Sequence, residues 1–246
     1  MQADAEVRYP RFNYNYFYPS DPSLLSPEIS VLIYYDNSME SYISDLADFL
    51  IELSNDALAN SKVDMKFGLA GLIPIQLDDM VSNSDALSAM GAAESPFENI
   101  ATDRQTYGAD LTATLRDEED GYPEGDSLGV AYTGFMETIY WESVTRYNLF
   151  QPGQPFDTSF TLSHELGHNL GAWHDRGEYT PEETAQSGSP YDPYSYAFGL
   201  RIRDVNKTIM SYGWETEIPY YSNPDVVHEG YALGVTFEDA NSSDVS

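Results

Sequence analysis

The chain has 246 residues, and its 41 Asp and Glu against 11 Lys and Arg give a formal net charge of -30. This excess of negative charge argues against binding to nucleic acid or to anionic membrane surfaces, because both would repel the chain. The chain has no cysteine, which excludes disulfides, thiolate metal ligands and a cysteine nucleophile.

The N-terminal half predicts strands and helices in alternation, after an extended arm at residues 1–27 that is rich in Tyr and Pro. The apolar, β-branched run at 29–35 indicates a buried strand. The apolar spacing from there to Asn60 indicates a helix, for which residues 36–38 offer an N-cap. Pro74, in the next apolar run, marks an edge strand or a bend. The other predicted elements are a strand over 63–77, a helix over 85–105 broken near Ser95 and Pro96, and strands over 109–115 and 128–132.

The rest of the chain predicts one long helix, over 156–170, and two loops. A charged loop is predicted at 117–126, and a long ordered loop, rich in Pro, Gly and Tyr, at 177–198. Together the elements predict a single α/β (α+β) domain over the whole chain, with a twisted mixed sheet and helices in an N-terminal lobe over 28–174. A small irregular C-terminal lobe over 175–246 would follow, with the active-site cleft between the two lobes.

The segment around three histidines carries the chemistry. His164 and His168 are four residues apart, so a helix places both imidazoles on one face at a separation that suits a metal. Glu165, next to the first histidine, can reach a water at the metal without being a ligand itself. Gly171 lets the chain reverse, because only glycine takes a left-handed conformation freely, and this turn would bring His174 to the same metal. Three imidazoles with an open fourth position are typical of a catalytic zinc site.

Ordinary surface or core histidines on a helix explain this pattern poorly. The chain has four histidines, and three of them fall at these offsets together with the glycine. The fourth, His228, lies in a polar C-terminal stretch and is predicted to be a solvated loop residue rather than a ligand.

The stretch from His164 to Asp175 resembles the metzincin clan of zinc peptidases. A second stretch agrees, because TIMSY at 208–212 resembles the Met-turn, in which Met210 would lie beneath the zinc ligands. Asp175 directly after the third histidine resembles the reprolysin (adamalysin) and snapalysin branches. Tyr212 instead follows the astacin and serralysin pattern. Further stretches resemble bacterial reprolysin-like and peptidyl-Asp metallopeptidases, namely 55–63, 108–115, 128–132 and 221–225.

The resemblance implies a metzincin-like fold and an endopeptidase that hydrolyses peptide bonds of proteins with Zn2+. Such an ion lowers the pKa of water toward neutrality, and Glu165 would act as general base. Tyr212 would ligate the zinc or stabilise the transition state, although it is also explained as a packed aromatic residue.

The resemblance also implies where the substrate lies. The edge strand that contains Gly129, Val130 and Ala131 would pair with an extended peptide, although the same residues are explained as a plain edge strand. The stretch over 213–224 would form the wall of the pocket for the residue after the scissile bond. A preference for an acidic residue is implied by the peptidyl-Asp enzymes and would require a cation, for which the nearby candidates are Arg201, Arg203 and Lys207.

Two other functions stay open at the level of sequence. One is a catalytically silent zinc fold that serves as a binding module, against which the intact Glu165 argues. The other is a zinc hydrolase that acts on a non-protein substrate.

The negative charge has several interpretations. It predicts a heavily solvated surface for a salty medium, and the alternatives are Ca2+ sites or the steering of cationic substrates. The acidic stretches at 117–126 and 175–192 are candidates for structural Ca2+, although neither has the spacing of an EF-hand loop. A solvated charge run is the simpler explanation of the first stretch.

The expected partner is a protein or peptide substrate, and the chain is expected to act as a monomer. The start MQADAEVRYP lacks the basic and apolar regions of a signal peptide. Secretion is nevertheless expected, with a leader and a pro-segment that this sequence does not contain. No apolar run approaches the roughly 20 residues that a membrane-spanning helix needs.

Overall fold

The structure is a computed structural model that describes residues 27–77, 81–117, 127–133, 142–147, 160–178 and 197–235. The predicted N-terminal arm, most of the charged loop at 117–126 and most of the long loop at 177–198 lie outside these residues.

The described residues form helices α1 (Ile43–Asn60), α2 (Asn83–Ala92), α3 (Ile100–Tyr107) and α4 (Thr161–Asn169). The first five strands are β1 (Glu28–Asp36), β2 (Lys66–Ile75), β3 (Leu111–Asp117), β4 (Gly129–Ala131) and β5 (Glu142–Tyr147). The later strands are β6 (Arg201–Ile202), β7 (Asn206–Lys207), β8 (Thr216–Glu217), β9 (Asn223–His228) and β10 (Tyr231–Leu233).

The first five strands form one mixed sheet in the order β2-β1-β3-β5-β4. β1 runs parallel to β2 and to β3, and β3 runs parallel to β5, whereas β4 at the far edge is antiparallel to β5. The prediction of a mixed α/β sheet is therefore confirmed. Pro74 lies on the edge strand β2, as predicted.

The sheet is covered by helices on both faces, because successive side chains of β1 point to opposite sides. Val31 and Ile33 belong to the core that also contains Leu162 and Leu166 of α4 and the apolar stripe of α1. Leu32 and Tyr34 belong to a second core, with Leu87 and Met90 of α2, Phe97 and Ile100. Each such buried side chain stabilises the fold by about 1.5–3 kcal/mol. This packing fixes α4 on one face of the sheet.

Several boundaries differ from the predictions. The side chain of Asp36 accepts the amide hydrogen of Ser38 at 2.9 Å, so it caps a short 3-10 turn rather than α1. The predicted helix over 85–105 is divided at Ala93, which has a left-handed φ of 53°, in agreement with the predicted interruption. α4 is described from Thr161, and residues 156–159 of the predicted helix lie outside the described residues.

The later chain has three features that the sequence did not predict. β5 was not predicted, because its residues Glu142, Ser143 and Thr145 are polar yet buried between neighbouring strands. The C-terminal region is not simply irregular: β6, β7 and β8 form a small sheet, and β9 and β10 form a hairpin. His228 is part of β9 rather than of a loop, with its ring 5.2 Å from that of Tyr220.

Candidate active site

α4 presents two faces of different chemistry. Leu162 and Leu166 are fully buried in the core beside α1, and they hold the helix against the sheet. His164 and His168 lie one turn apart on the other face, with ring centroids 4.7 Å apart. The apolar i, i+4 pair therefore fixes the direction in which the two imidazoles point.

The chain reverses directly after α4 and returns a third imidazole. Gly171 has a φ of 92°, which a side chain would strain, and the amide of Ala172 donates back to the carbonyl of Gly167 at 2.9 Å. Nε2 of His174 then lies 2.9 Å from Nε2 of His168 and 3.1 Å from Nε2 of His164. The structure thus brings together the three histidines that the sequence singled out.

The backbone sets the tautomers of two of these rings. Nδ1 of His164 lies 2.7 Å from the carbonyl oxygen of Ile209, and Nδ1 of His168 lies 2.8 Å from that of Ala172. A carbonyl oxygen can only accept, so each Nδ1 carries the hydrogen and each Nε2 presents a lone pair toward the other imidazoles. Such carbonyl partners are the usual way in which proteins orient metal-ligating histidines.

Burial keeps the imidazoles neutral. It lowers the pKa of His168 to about 3 and that of His174 to about 4, with further lowering from the neighbouring imidazoles. Burial also lowers the pKa of His164. Three neutral nitrogen donors whose ligand atoms all lie within 4.8 Å of one another fit a divalent transition metal. Within the described residues, no other group of three His, Asp or Glu side chains converges in this way.

Glu165 lies beside this group without belonging to it. Its side chain is buried, and burial raises the pKa of its carboxyl well above the usual range. Among the residues that the structure describes, Oε2 has no hydrogen-bond partner. The carboxylate is therefore held in a dry position with one oxygen available for a proton.

β4 passes directly against this carboxylate. A Cβ added at Gly129 would overlap Oε1 of Glu165 and come within 2.8 Å of Cγ2 of Thr161. Val130 and Ala131 follow along the strand and pair with β5. The close approach at Gly129 was not predicted, because a glycine that makes room for a distant side chain leaves no local pattern.

The turn that contains Met210 lies under α4. The amide of Ser211 donates to the carbonyl of Thr208 at 2.9 Å, and Met210 is buried. A Cβ added at Gly167, between the first two histidines, would come within 2.6 Å of Sδ of Met210. The same turn supplies the Ile209 carbonyl that orients His164.

Tyr212 and Asp175 connect this turn to the third histidine. The ring of Tyr212 stacks at 17° to that of His164 and lies 4.1 Å from that of His174, and the residue is 47% exposed. Its amide donates to Oδ2 of the buried Asp175 at 3.1 Å, and Oδ1 of Asp175 accepts from the amide of Gly177. The sequence had offered Asp175 only as a marker of resemblance.

Two supporting residues were not predicted. Asn169, at the end of α4, donates to the carbonyls of Tyr132 and Glu142 at 2.9 and 3.0 Å, and so joins the helix to the ends of β4 and β5. Tyr221, in the predicted pocket wall, donates its hydroxyl to the carbonyl of Ser163 at 2.7 Å. Both contacts join residues far apart in the chain, so no local pattern indicates them.

The three candidate cations have different surroundings. Nε of Arg201 lies 3.1 Å from Oε1 of Glu215, a side chain that is fully buried. Arg203 is exposed in the turn between β6 and β7. Nζ of Lys207 donates to the carbonyl of Gly213 at 3.0 Å, next to Tyr212.

The acidic stretches give the calcium hypothesis no support within the described residues, where the histidines alone form a candidate metal group. Most of the stretches at 117–126 and 175–192 lie outside that part of the chain. In the described ranges, no helix combines the length and the apolar character that would let it cross a bilayer.

A helix with two ligands one turn apart, a third ligand from the following turn and an adjacent buried carboxylate define the site of a metal-dependent hydrolase. Residues 26–222 match the family model Reprolysin_5, described as Metallo-peptidase family M12. The chain belongs to this family of metallopeptidases. The resemblance drawn from the motif is thereby confirmed.

Curated relatives agree with the family. The chain is 24% identical over 208 residues to the Peptidyl-Asp metalloendopeptidase of Stenotrophomonas maltophilia (strain K279a), and this match covers 81% of this chain and 44% of that protein. It is 22% identical over 204 residues to the protein of the same name from Xanthomonas campestris pv. campestris, and that match covers 81% of this chain and 43% of that protein. The chain therefore spans less than half the length of these relatives.

A solved structure described as a chaperone-substrate complex contains a chain with a similar fold. The TM-score is 0.60 at 20% identity, and the match covers 85% of this chain and 31% of that chain. This likeness concerns the fold.

Proposed function

We propose that this protein is a zinc-dependent endopeptidase. The observation that carries the proposal is the convergence of the Nε2 atoms of His164, His168 and His174 beside the buried carboxylate of Glu165. Three neutral imidazoles form a donor set that suits zinc and leaves a coordination position open. The open position distinguishes such a site from a structural one, in which four protein ligands close the coordination.

Glu165 acts as the general base in this proposal. Zinc held by the three histidines would supply a Lewis acid that lowers the pKa of water. Glu165 accepts a proton at its carboxylate and later returns it to the leaving amine. The buried Oε2 supports this role, because it has no hydrogen-bond partner among the described residues and can accept the proton.

The residues around the histidines complete the site. The Tyr212 hydroxyl donates a hydrogen bond to the oxyanion that develops on the substrate, a role supported by its exposed ring beside His164 and His174. Met210 forms the floor of a Met-turn under Gly167, as its buried position supports.

The substrate lies as an extended strand along β4. β4 ends the sheet at the side of the site, so a peptide can add to it by backbone pairing at Gly129, Val130 and Ala131. The contact between Gly129 and Glu165 supports this path, because it brings a peptide on β4 past the carboxylate. Backbone pairing accepts many sequences, so the side-chain preference must come from the pocket.

The preferred side chain is acidic in this proposal. The support is the name of the two curated relatives, which are peptidyl-Asp metalloendopeptidases. A carboxylate is recognised by a cation or by backbone amides in a pocket of low polarity.

The proposal is tested by cleavage of casein and of fluorogenic peptides by the wild type and by Glu165→Gln, together with the zinc content of each. One bound zinc with cleavage that a chelator abolishes is expected in the wild type. Glu165→Gln should keep the zinc and lose at least about a hundredfold in kcat, as for the loss of a general base. Zinc without cleavage of any peptide would instead indicate a binding module or a non-protein substrate.

Action outside the cell and as a monomer is part of the same proposal. Separation of a producing culture into cells and medium, followed by size-exclusion chromatography with light scattering, tests both. Retention in the cells or a stable dimer would contradict them.

A further inference from the structure

We infer that Lys207 is the residue that selects the acidic side chain, an inference that rests on the acidic preference proposed above. The Lys207 ammonium lies 3.0 Å from the carbonyl oxygen of Gly213, which begins the predicted pocket wall and directly follows Tyr212. A substrate carboxylate bound in that pocket would contact the Lys207 ammonium close to Tyr212.

The strand that carries Lys207 also fixes its distance from the histidines. β7 is the middle strand of its small sheet, between β6 and β8, so its backbone is held on both sides. Thr208 and Ile209 follow directly, and the Ile209 carbonyl binds His164.

The other candidate cations are paired, packed on an aromatic ring or exposed in a turn. Arg201 is paired with Glu215, whose pKa burial would raise but which backbone hydrogen bonds and Arg201 itself hold below its usual range. That arginine is therefore neutralised by an ionised carboxylate. Arg176, near the third histidine, places its guanidinium 4.4 Å from the centre of the Phe198 ring. Arg203 is exposed in the turn between β6 and β7.

Lys207 differs from Arg201 in forming no ion pair within the part of the chain that the structure describes, although Glu217 lies opposite it in the register of β7 and β8. The one hydrogen bond that its ammonium makes there is to a neutral carbonyl. An ammonium has three N–H donors, so two remain for a ligand while the third donates to the carbonyl of Gly213. In a chain with a net charge of -30, an acidic peptide is repelled at long range, and a local cation has to offset this repulsion.

The experiment compares peptide pairs that differ only by Asp against Asn at one position, with products identified by mass spectrometry. The quantity measured is the ratio of kcat/KM for the Asp peptide to that for the Asn peptide. Lys207→Gln keeps a donor for Gly213 but removes the charge, and Lys207→Arg keeps the charge. Arg203→Gln, an exposed cation on the same small sheet, is the matched control.

We expect the ratio to be well above one in the wild type and to fall at least about tenfold in Lys207→Gln, as for the loss of a charge-assisted hydrogen bond. Lys207→Arg should keep most of the ratio, and Arg203→Gln should leave it as in the wild type. Added salt should lower the ratio in the wild type and have little effect in Lys207→Gln.

The ways in which this inference can fail are distinguishable. A wild type that cleaves both peptides equally would refute the acidic preference, and the assignment of Lys207 with it, while leaving the endopeptidase in place. A strong wild-type preference that survives in Lys207→Gln would refute Lys207 alone. Should Lys207→Gln fail to fold, a wild-type ratio that is insensitive to salt would overturn the inference.

Discussion

At Gly129 the backbone of β4 passes so close to the Glu165 carboxylate that a Cβ would overlap Oε1. Gly129→Ala should therefore displace the carboxylate. We expect kcat to fall by about tenfold or more with bound zinc retained, because a misplacement of about 1 Å is costly to a proton transfer. Steady-state kinetics with elemental analysis of zinc measure this.

Gly71→Ala is the control for this variant. A Cβ at Gly71, in β2, would overlap the ring of Tyr107, which is 44% exposed and can move aside. This substitution makes the same change in a strand of the same sheet, and its kcat should stay near that of the wild type. Equal losses in the two variants would mean that alanine in the sheet, rather than contact with Glu165, lowers the activity.

The contribution of the Tyr212 hydroxyl to activity can be measured separately from that of its ring. Tyr212→Phe keeps the ring beside His174. It also keeps the hydrogen bond to Asp175, because the backbone amide of residue 212 donates it. We expect kcat to fall by about tenfold or more with KM and zinc content little changed, as for an oxyanion donor. An unchanged kcat would leave Tyr212 as a packing residue only.

Individual residues were predictable where their chemistry depends on short spacing. His164, Glu165 and His168 lie on one helical turn, and Gly171 is read from the need for a left-handed turn. Asn169 was not predictable, because its partner carbonyl at Tyr132 lies 37 positions away. The carbonyl of Ser163, which accepts from Tyr221, is similarly 58 positions away.

The segment after α4 and the turn at 208–211 are two separate elements that Asp175 connects. Asp175→Ala leaves the amide of Tyr212 without its buried acceptor, which should lower the free energy of unfolding by roughly 1–3 kcal/mol. The zinc affinity should fall as well, because His174 directly precedes Asp175. Denaturant titration and competition with a zinc chelator measure the two effects.

Asp48→Ala provides the comparison for this substitution. Asp48 is exposed on α1, and its replacement removes the same formal charge without touching the site. Its unfolding free energy should stay within about 0.5 kcal/mol of the wild type. If both variants behaved alike, the charge rather than the link between the two elements would be responsible.

The elements that were predicted are those whose own residues are strongly apolar. β1 has an unbroken buried run at 31–35, and α1 places its apolar residues on one face. β5 was missed because Ser143 and Thr145 are buried by their neighbours rather than by their own hydrophobicity. The two-residue strands around Lys207 are too short to show an alternation.

The whole molecule carries a charge that the fold must tolerate. A net charge of -30 on 246 residues should destabilise the compact state by self-repulsion at low ionic strength. We expect the melting temperature and the activity to rise from low salt to molar NaCl, because the Debye length falls to about 3 Å at 1 M. Differential scanning fluorimetry and a neutral peptide substrate measure these changes.

Sucrose at the same osmolality is the control for this experiment. It is excluded from the protein surface but cannot screen the repulsion between charges. Screening requires ions, so sucrose should reproduce little of the increase. A melting temperature that does not respond to NaCl would show that the acidic residues are too dispersed for their repulsion to matter.

A sheet has two borders, and they are unlike each other in this molecule. At one border, the exposed Pro74 interrupts the row of amide hydrogens on β2. At the other, β4 is only three residues long and lies beside Glu165. A protein that binds extended chains by backbone pairing risks pairing with its own copies in the same way. With substrate on β4 as proposed, the asymmetry would confine strand pairing to the border beside Glu165, and Pro74 would limit fibrous self-association at the opposite border.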